Sequence, residues 1–263
     1  MDIQADILKK LRQVERTEGV RVLYACESGS RAWGFASSDS DYDVRFIYIR
    51  RPTWYLSILL ERRADVIEYP MEGLLDLNGG DLRKALQLMK KSNPPLFEWL
   101  GSPIVYREDP RLVGRLRELA RPYYSPLSCA HHYLSMARGN YREYLRGKTV
   151  LLKKYLYVLR PLLAIRWIEA GRGVVPTEFR KLVEGTGLPP DVRQATAGLL
   201  QAKRVGKELD SGPAIPSISD FIEQEFARLE SADIRWQKSA APAEPLDDFF
   251  REALNQVWQT AER

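Results

Sequence analysis

Apolar residues recur at helical spacing over residues 3–16, where Ile3, Ile7, Leu8 and Leu11 alternate with Lys9, Lys10 and Arg12. This predicts a surface helix covering the first strand. Residues 20–26 form a β-rich apolar run, and Glu27-Ser28-Gly29-Ser30 follows as a turn into a short helix. Tyr42–Ile49, rich in aromatic and β-branched residues, predicts a second strand that Pro52 ends. Residues 53–60 are ambiguous between helix and buried loop. Residues 64–69 read as a third strand and 74–77 as a fourth, which Gly79 and Gly80 are expected to break. Asp81 then caps a helix over 82–91.

Asn93-Pro94-Pro95 interrupts that helix, residues 94–100 restart it, and 104–106 suggest a last strand. Beyond Pro110 strand signals nearly vanish. Helices are expected at 110–120, 127–146, 149–171, 176–184, 190–206, 217–231 and 246–261, with linkers at 185–189, 210–216 and 238–245. The pattern thus changes from mixed to helical near residue 109, predicting domains over 1–109 and 110–263. The final helix carries Phe250, Leu254, Val257, Trp258 and Ala261 on one face. It is either a packing element or a dimer contact, and the oligomeric state stays open.

Composition narrows the class. The 263 residues hold 44% hydrophobic and 29% charged side chains, which fits a globular protein with ample length for a core. Lys and Arg total 40 against 35 Asp and Glu, and the resulting +5 favours a polyanionic partner, nucleoside triphosphate or nucleic acid. Cys26 and Cys129 have no Cys-x-x-Cys company, which excludes a zinc cluster and fits a reducing cytoplasm. His131 and His132 are adjacent on an expected helix and do not converge on one metal. The N-terminus has no apolar signal core, and the most apolar helix is interrupted by Lys153, Lys154, Arg160 and Arg166. Neither export nor membrane spanning is expected.

The candidate chemistry lies in Gly29-Ser30 and Asp41-Tyr42-Asp43. Gly29 permits a turn whose amides face a ligand closely, ready to hold a phosphate. Asp41 and Asp43 alternate, so a strand there would project both carboxylates from one face, where their repulsion calls for a cation such as Mg²⁺. An EF-hand is excluded because Val44 and Arg50 stand where Gly and Glu are needed. A P-loop is excluded by Phe35 and Ala36 in place of Lys and Ser/Thr. A solvated acidic turn remains the bland alternative. Asp76, flanked by leucines, is the favoured third carboxylate because burying it demands a metal or a donor. Asp65 and Glu68 are its rivals. Arg138, Arg142 and Arg146 recur every four residues as a basic stripe, read as a solvated face or a contact for RNA phosphates. Tyr157 and Trp167 are equally readable as core.

Gly-Ser, ten residues, then Asp-x-Asp in an apolar strand resembles the signature of the DNA polymerase β-like nucleotidyltransferase superfamily. The words Gly-Ser-Arg-Ala-Trp-Gly-Phe, Ser-Asp-Tyr-Asp-Val-Arg, Lys-Ser-Asn-Pro-Pro, Glu-Trp-Leu, Ser-Pro-Ile-Val-Tyr and Leu-Arg-Pro-Leu-Leu-Ala are similar to its branch linked to bacterial RNA repair, the RlaP or YcgL-like proteins. The resemblance covers roughly residues 20–182. It implies an α+β fold, a polymerase-β-like catalytic domain with a small mixed sheet followed by an all-helical domain. It also implies transfer of a nucleoside monophosphate from a nucleoside triphosphate, with Mg²⁺ or Mn²⁺ on Asp41, Asp43 and Asp76. Gly29, Ser30 and Arg31 would hold phosphates. Lys153 or Lys154 would meet the triphosphate and Tyr157 the base. An RNA 3′ end is the leading acceptor; a protein or small-molecule hydroxyl and a non-catalytic nucleotide sensor are the alternatives.

Overall fold

The computed structural model describes residues 3–205, 211–231 and 239–259. In chain order the elements are α1 (Ile3–Glu18), β1 (Arg21–Glu27), α2 (Gly29–Trp33), β2 (Tyr42–Ile49), α3 (Pro52–Tyr55), β3 (Val66–Glu68), β4 (Leu75–Asp81), α4 (Leu82–Lys90), α5 (Pro94–Leu100) and β5 (Val105–Glu108). There follow α6 (Pro110–Ala120), α7 (Pro126–Tyr144), β6 (Thr149–Leu151), α8 (Lys153–Glu169), α9 (Phe179–Gly185), α10 (Pro190–Arg204), β7 (Ser211–Pro213), α11 (Pro216–Ser231) and α12 (Glu244–Gln259). The fold is α+β, as expected.

Packing divides the chain into two units. The first comprises residues up to Gly29, Asp41–Tyr124 and the segment from Ser239 onward; the second comprises Ser30–Ser40 and residues 125–238. This differs from the division expected at residues 109 and 110. Leu112, Val113 and Leu116 of α6 belong to the first unit's core, and α12 returns to it with Leu246, Phe249 and Ala253. The last helix is thus a packing element; its expected residues 260 and 261 lie outside the described residues, as do the linker positions 210 and 238.

The first unit is built on a five-stranded sheet in the order β3-β4-β2-β1-β5, with β2 and β4 parallel and the other neighbours antiparallel. Alternation along β2 sends Val44, Phe46 and Tyr48 into a core shared with Ile7, Leu11 and Val14 of α1. Ile47 and Ile49 point into the opposite core, shared with Leu82 and Leu86 of α4 and Leu96 of α5.

Gly79 and Gly80 do not break β4, which runs through both to Asp81. A Cβ on Gly79 would lie 2.2 Å from Cε2 of Phe46, so the residue is small because a ring from β2 lies over it. Asp81 caps α4 as expected, its Oδ1 accepting from the Arg83 amide at 2.8 Å. Residues 53–60 are neither one helix nor a buried loop: α3 is short, and Leu56 and Ile58 are 80% and 95% exposed.

In the second unit α8 is almost wholly buried, with Leu156, Leu159 and Leu163 inaccessible, and it packs along α7. β6 and β7 form an antiparallel ribbon that the pattern did not predict, because strands of three residues leave too short a signal. The ribbon trims the helix expected at 149–171 to Lys153–Glu169. Glu225 of α11, buried, accepts from Arg166 of α8 at 2.8 and 2.9 Å and from Arg228 at 2.9 and 3.1 Å.

Candidate active site

The end of β1 is fixed before any ligand is considered. Glu27 is fully buried, and its Oε1 accepts from the Asp43 amide at 2.7 Å while Tyr106 donates its hydroxyl to Oε2. Ser28 donates its amide to the Asp43 carbonyl at 2.8 Å, and Ser102 Oγ donates to the Glu27 carbonyl at 2.7 Å. These bonds hold the backbone of Asp43 from both sides. A buried carboxylate accepting such donors orients its neighbour rather than serving as an open ligand.

Gly29 follows with φ +57°, a left-handed conformation that disfavours a side chain. A Cβ there would also lie 2.1 Å from Asp43 Oδ2. The turn and the carboxylate are therefore packed against each other, with backbone where a side chain would stand.

Asp43 on β2 sits in register with Asp76 on the parallel strand β4. Residues so paired project to the same face. Arg45, two residues along β2, places Nη2 3.3 Å from Asp43 Oδ1 and 2.7 Å from Asp76 Oδ2, and its Nη1 donates to the Asp76 carbonyl at 3.3 Å. A guanidinium of the chain itself thus bridges the two carboxylates.

Asp41 lies one residue ahead of β2 and is exposed, so strand alternation places Asp43 but not Asp41. Among its rivals, Asp65 pairs with Lys84 at 2.8 Å, while exposed Glu68 on β3 stands opposite Asn78. Among the described residues, no group of three or more His, Cys, Asp or Glu side chains is placed to hold one metal ion. The structure brings together Gly29, Asp43 and Asp76. Glu27, Tyr106 and Arg45 were not singled out from the sequence. Their signals were an acid closing an apolar strand and an arginine in period two with Asp43.

Ser30, Arg31, Lys153, Lys154 and Tyr157 belong to the second unit. Ser30 is buried and its carbonyl accepts from the Phe35 amide at 3.0 Å, while Arg31 Nη2 donates to the Ser40 carbonyl at 2.6 Å. Tyr157 meets Trp33 edge-on at 5.4 Å, and Arg160, buried, lies 4.6 Å over the same indole. Lys154 Nζ stands 4.0 Å from the Tyr144 ring centroid and 5.1 Å from that of Tyr157. Lys203 of α10, not foreseen, lies 5.0 Å over Phe35. Burial lowers the pKa of both Lys154 and Lys203; the charge of Lys153 adds to this, while Glu143 opposes it at Lys154 and Asp39 at Lys203. Partly dehydrated lysines crowded by a like charge favour an anion. The arginine stripe is looser than expected: α7 ends at Tyr144, before Arg146, and Arg138 pairs with Glu230 at 2.9 Å.

No helix among the described residues is long and apolar enough to cross a membrane. The model of the family RlaP, RNA repair pathway DNA polymerase beta family, matches residues 3–252. YcgL of Bacillus subtilis (strain 168) is 45% identical over 255 residues, covering 96% of this chain and 97% of YcgL. The crystal structure of a nucleotidyltransferase-like protein from Exiguobacterium sibiricum 255-15 is 14% identical, with 95% of this chain and 90% of that chain covered and a TM-score of 0.29.

Proposed function

The chain belongs to the RNA repair pathway DNA polymerase beta family, and from that premise we propose that it transfers a nucleoside monophosphate from a nucleoside triphosphate to an RNA 3′ hydroxyl. The observation that carries this reading is the in-register pair Asp43 and Asp76, with the backbone of Gly29 pressed against Asp43. The donors fit Mg²⁺ or Mn²⁺. Two carboxylates already converge on one cationic nitrogen of Arg45, and a hard divalent ion uses one or two protein carboxylates plus phosphate oxygens. When bound, such an ion supplies positive charge to the triphosphate and lowers the pKa of the attacking hydroxyl.

The chain's residues do the rest. Asp43 and Asp76 would hold the ion, its other positions being filled by phosphate oxygens and water. Glu27 keeps the Asp43 backbone in place. The amides of Gly29 and Ser30 hold the outer phosphates. The acceptor oxygen bonds to the α-phosphorus, the bond from that phosphorus to the bridging oxygen breaks, and pyrophosphate leaves. Asp76 receives the hydroxyl proton. Arg31, Lys153 and Lys154 are assigned to the negative charge of the triphosphate and departing pyrophosphate, and Tyr157 to the base. Within the second unit, the partly dehydrated Lys154 ammonium, set over the Tyr144 and Tyr157 rings, supports that assignment.

The test is incubation with α-labelled triphosphates, Mg²⁺ and either total RNA or a proteome. Label in RNA supports the proposal; label confined to protein or small molecules overturns the RNA acceptor, and no label in any fraction overturns the transfer.

A further inference from the structure

The far end of β2 carries charge that the catalytic reading does not use. Two tryptophans of the first unit each hold two guanidinium groups. Arg21 and Arg51 lie 5.6 and 4.6 Å from the ring centroid of Trp258, and Arg50 and Arg63 lie 5.0 and 5.4 Å from that of Trp54. Arg21, Arg51 and Arg63 are exposed. Among the described residues, the carboxylate within ion-pair reach of these four is Glu18, 3.7 Å from Arg50. Each ring face favours a cation, yet among the described residues the repulsion of guanidiniums gathered in pairs is offset only around Arg50, by Glu18 and Asp81, and not at Arg21, Arg51 and Arg63. A polyanion would offset it there.

Position adds a second constraint. Arg21 pairs in register with Ile49, at the opposite end of the strand from Asp43. Six residue steps of strand separate Asp43 from Ile49, about 20 Å. A ligand on the arginines therefore does not occupy the carboxylate pair.

We propose that Arg21, Arg50, Arg51 and Arg63, set on Trp54 and Trp258, form a docking surface for the phosphate backbone of single-stranded RNA. Planar guanidiniums on indoles are pre-organised donors to phosphate, and a sequence-tolerant strand site combines such cations with aromatic and apolar surface for bases. The exposed Leu56 and Ile58, between Arg51 and Arg63, supply the apolar part. This deepens the RNA-acceptor reading: the surface holds the body of an RNA while its 3′ end is left to the carboxylates.

The test is fluorescence anisotropy of a labelled single-stranded RNA of about twelve nucleotides, titrated across salt concentrations without triphosphate or metal. Two variants are compared with wild type: Arg21→Gln/Arg51→Gln/Arg63→Gln and the same three positions changed to Lys. The Gln variant should lose about 2 units of the slope of log affinity against log salt, and about tenfold or more in affinity at low salt. The Lys variant should keep the slope, which separates lost charge from lost fold. If wild type binds RNA and the Gln variant binds it equally, this surface is refuted while the RNA acceptor stands. If the Gln variant instead loses binding to anionic phospholipid vesicles with RNA affinity unchanged, the patch is a membrane contact and the proposal fails. If wild type binds no RNA, the surface and the RNA acceptor fail together, whereas label transfer to another acceptor would still leave the chemistry intact.

Discussion

A Cβ on Gly29 would lie 2.1 Å from Oδ2 of Asp43, so the carboxylate occupies the space that any side chain at residue 29 would need. The Gly29 turn and the Asp43 carboxylate constrain each other sterically. A left-handed φ adds a backbone cost of about 1–2 kcal/mol for an L side chain. Gly29→Ala should destabilise the fold by at least that much and weaken Mn²⁺ binding by pushing Asp43 aside. In an Asp43→Ala background the same substitution should cost about 1 kcal/mol less, since the clash is gone. Denaturant titrations of the four proteins measure this; a purely additive cycle would mean that the turn yields to the side chain without moving Asp43.

Arg45 gives a second prediction. Its guanidinium joins Asp43 and Asp76, and replacing it with Met leaves two neighbouring carboxylates without that cation. Arg45→Met should lower the melting temperature of the metal-free protein, and Mg²⁺ should raise that temperature more in the variant than in wild type. Equal metal-induced shifts would show that the guanidinium and the ion do not compete.

Asp81 titrates in an accessible range. Burial pushes its carboxyl up to about 6, although Tyr55 and the Arg83 amide, both donating to it, pull the other way. A folded-state value above that of the unfolded chain means the folded protein holds a proton that the unfolded chain releases first. Stability from this group is therefore full below about pH 4 and is lost as pH rises to about 6, by roughly 2–3 kcal/mol. Asp81→Asn, which can still cap α4, should flatten that fall. Unfolding midpoints at both ends of the window, for both proteins, decide it.

Part of the candidate site was legible in the sequence, for identifiable reasons. Strand alternation and a family signature both pointed at Asp43, and an acid between leucines marked Asp76 ahead of Asp65 and Glu68. Local pattern did not reveal that Asp43 and Asp76 face each other, because register between strands more than two dozen residues apart is fixed by packing, including the approach of Phe46 over Gly79. The same limit hid Glu27. An acid at a strand end looks solvated until Tyr106, from a strand far along the chain, is seen donating to it. Gly79 and Gly80 misled in the opposite direction, since glycine within a strand reads locally as a break. The two-unit division escaped the pattern because Ser30–Ser40 and α12 each join residues remote in sequence.

The second unit's stability should depend on Glu225. Arg166 and Arg228 both donate to this buried carboxylate and, against the opposing effect of burial, hold its pKa below the usual range. Glu225→Ala removes the carboxylate from both arginines, but Arg228 keeps Glu169 and both are partly exposed, so the loss should be about 1–3 kcal/mol. Chemical denaturation measures it, and a loss below about 1 kcal/mol would mean that water replaces the carboxylate at little cost.

If Asp43 and Asp76 together hold the cation through which nucleotidyl transfer proceeds, both must be needed for pyrophosphate release from triphosphate in the presence of Mg²⁺ and RNA, measured for wild type, Asp43→Asn and Asp76→Asn. Both variants should remain folded by circular dichroism and release pyrophosphate at least about a hundredfold more slowly, the scale expected when a group stabilising the transition-state charge is removed. Wild-type rates in either folded variant would mean that the cation is not held by this pair.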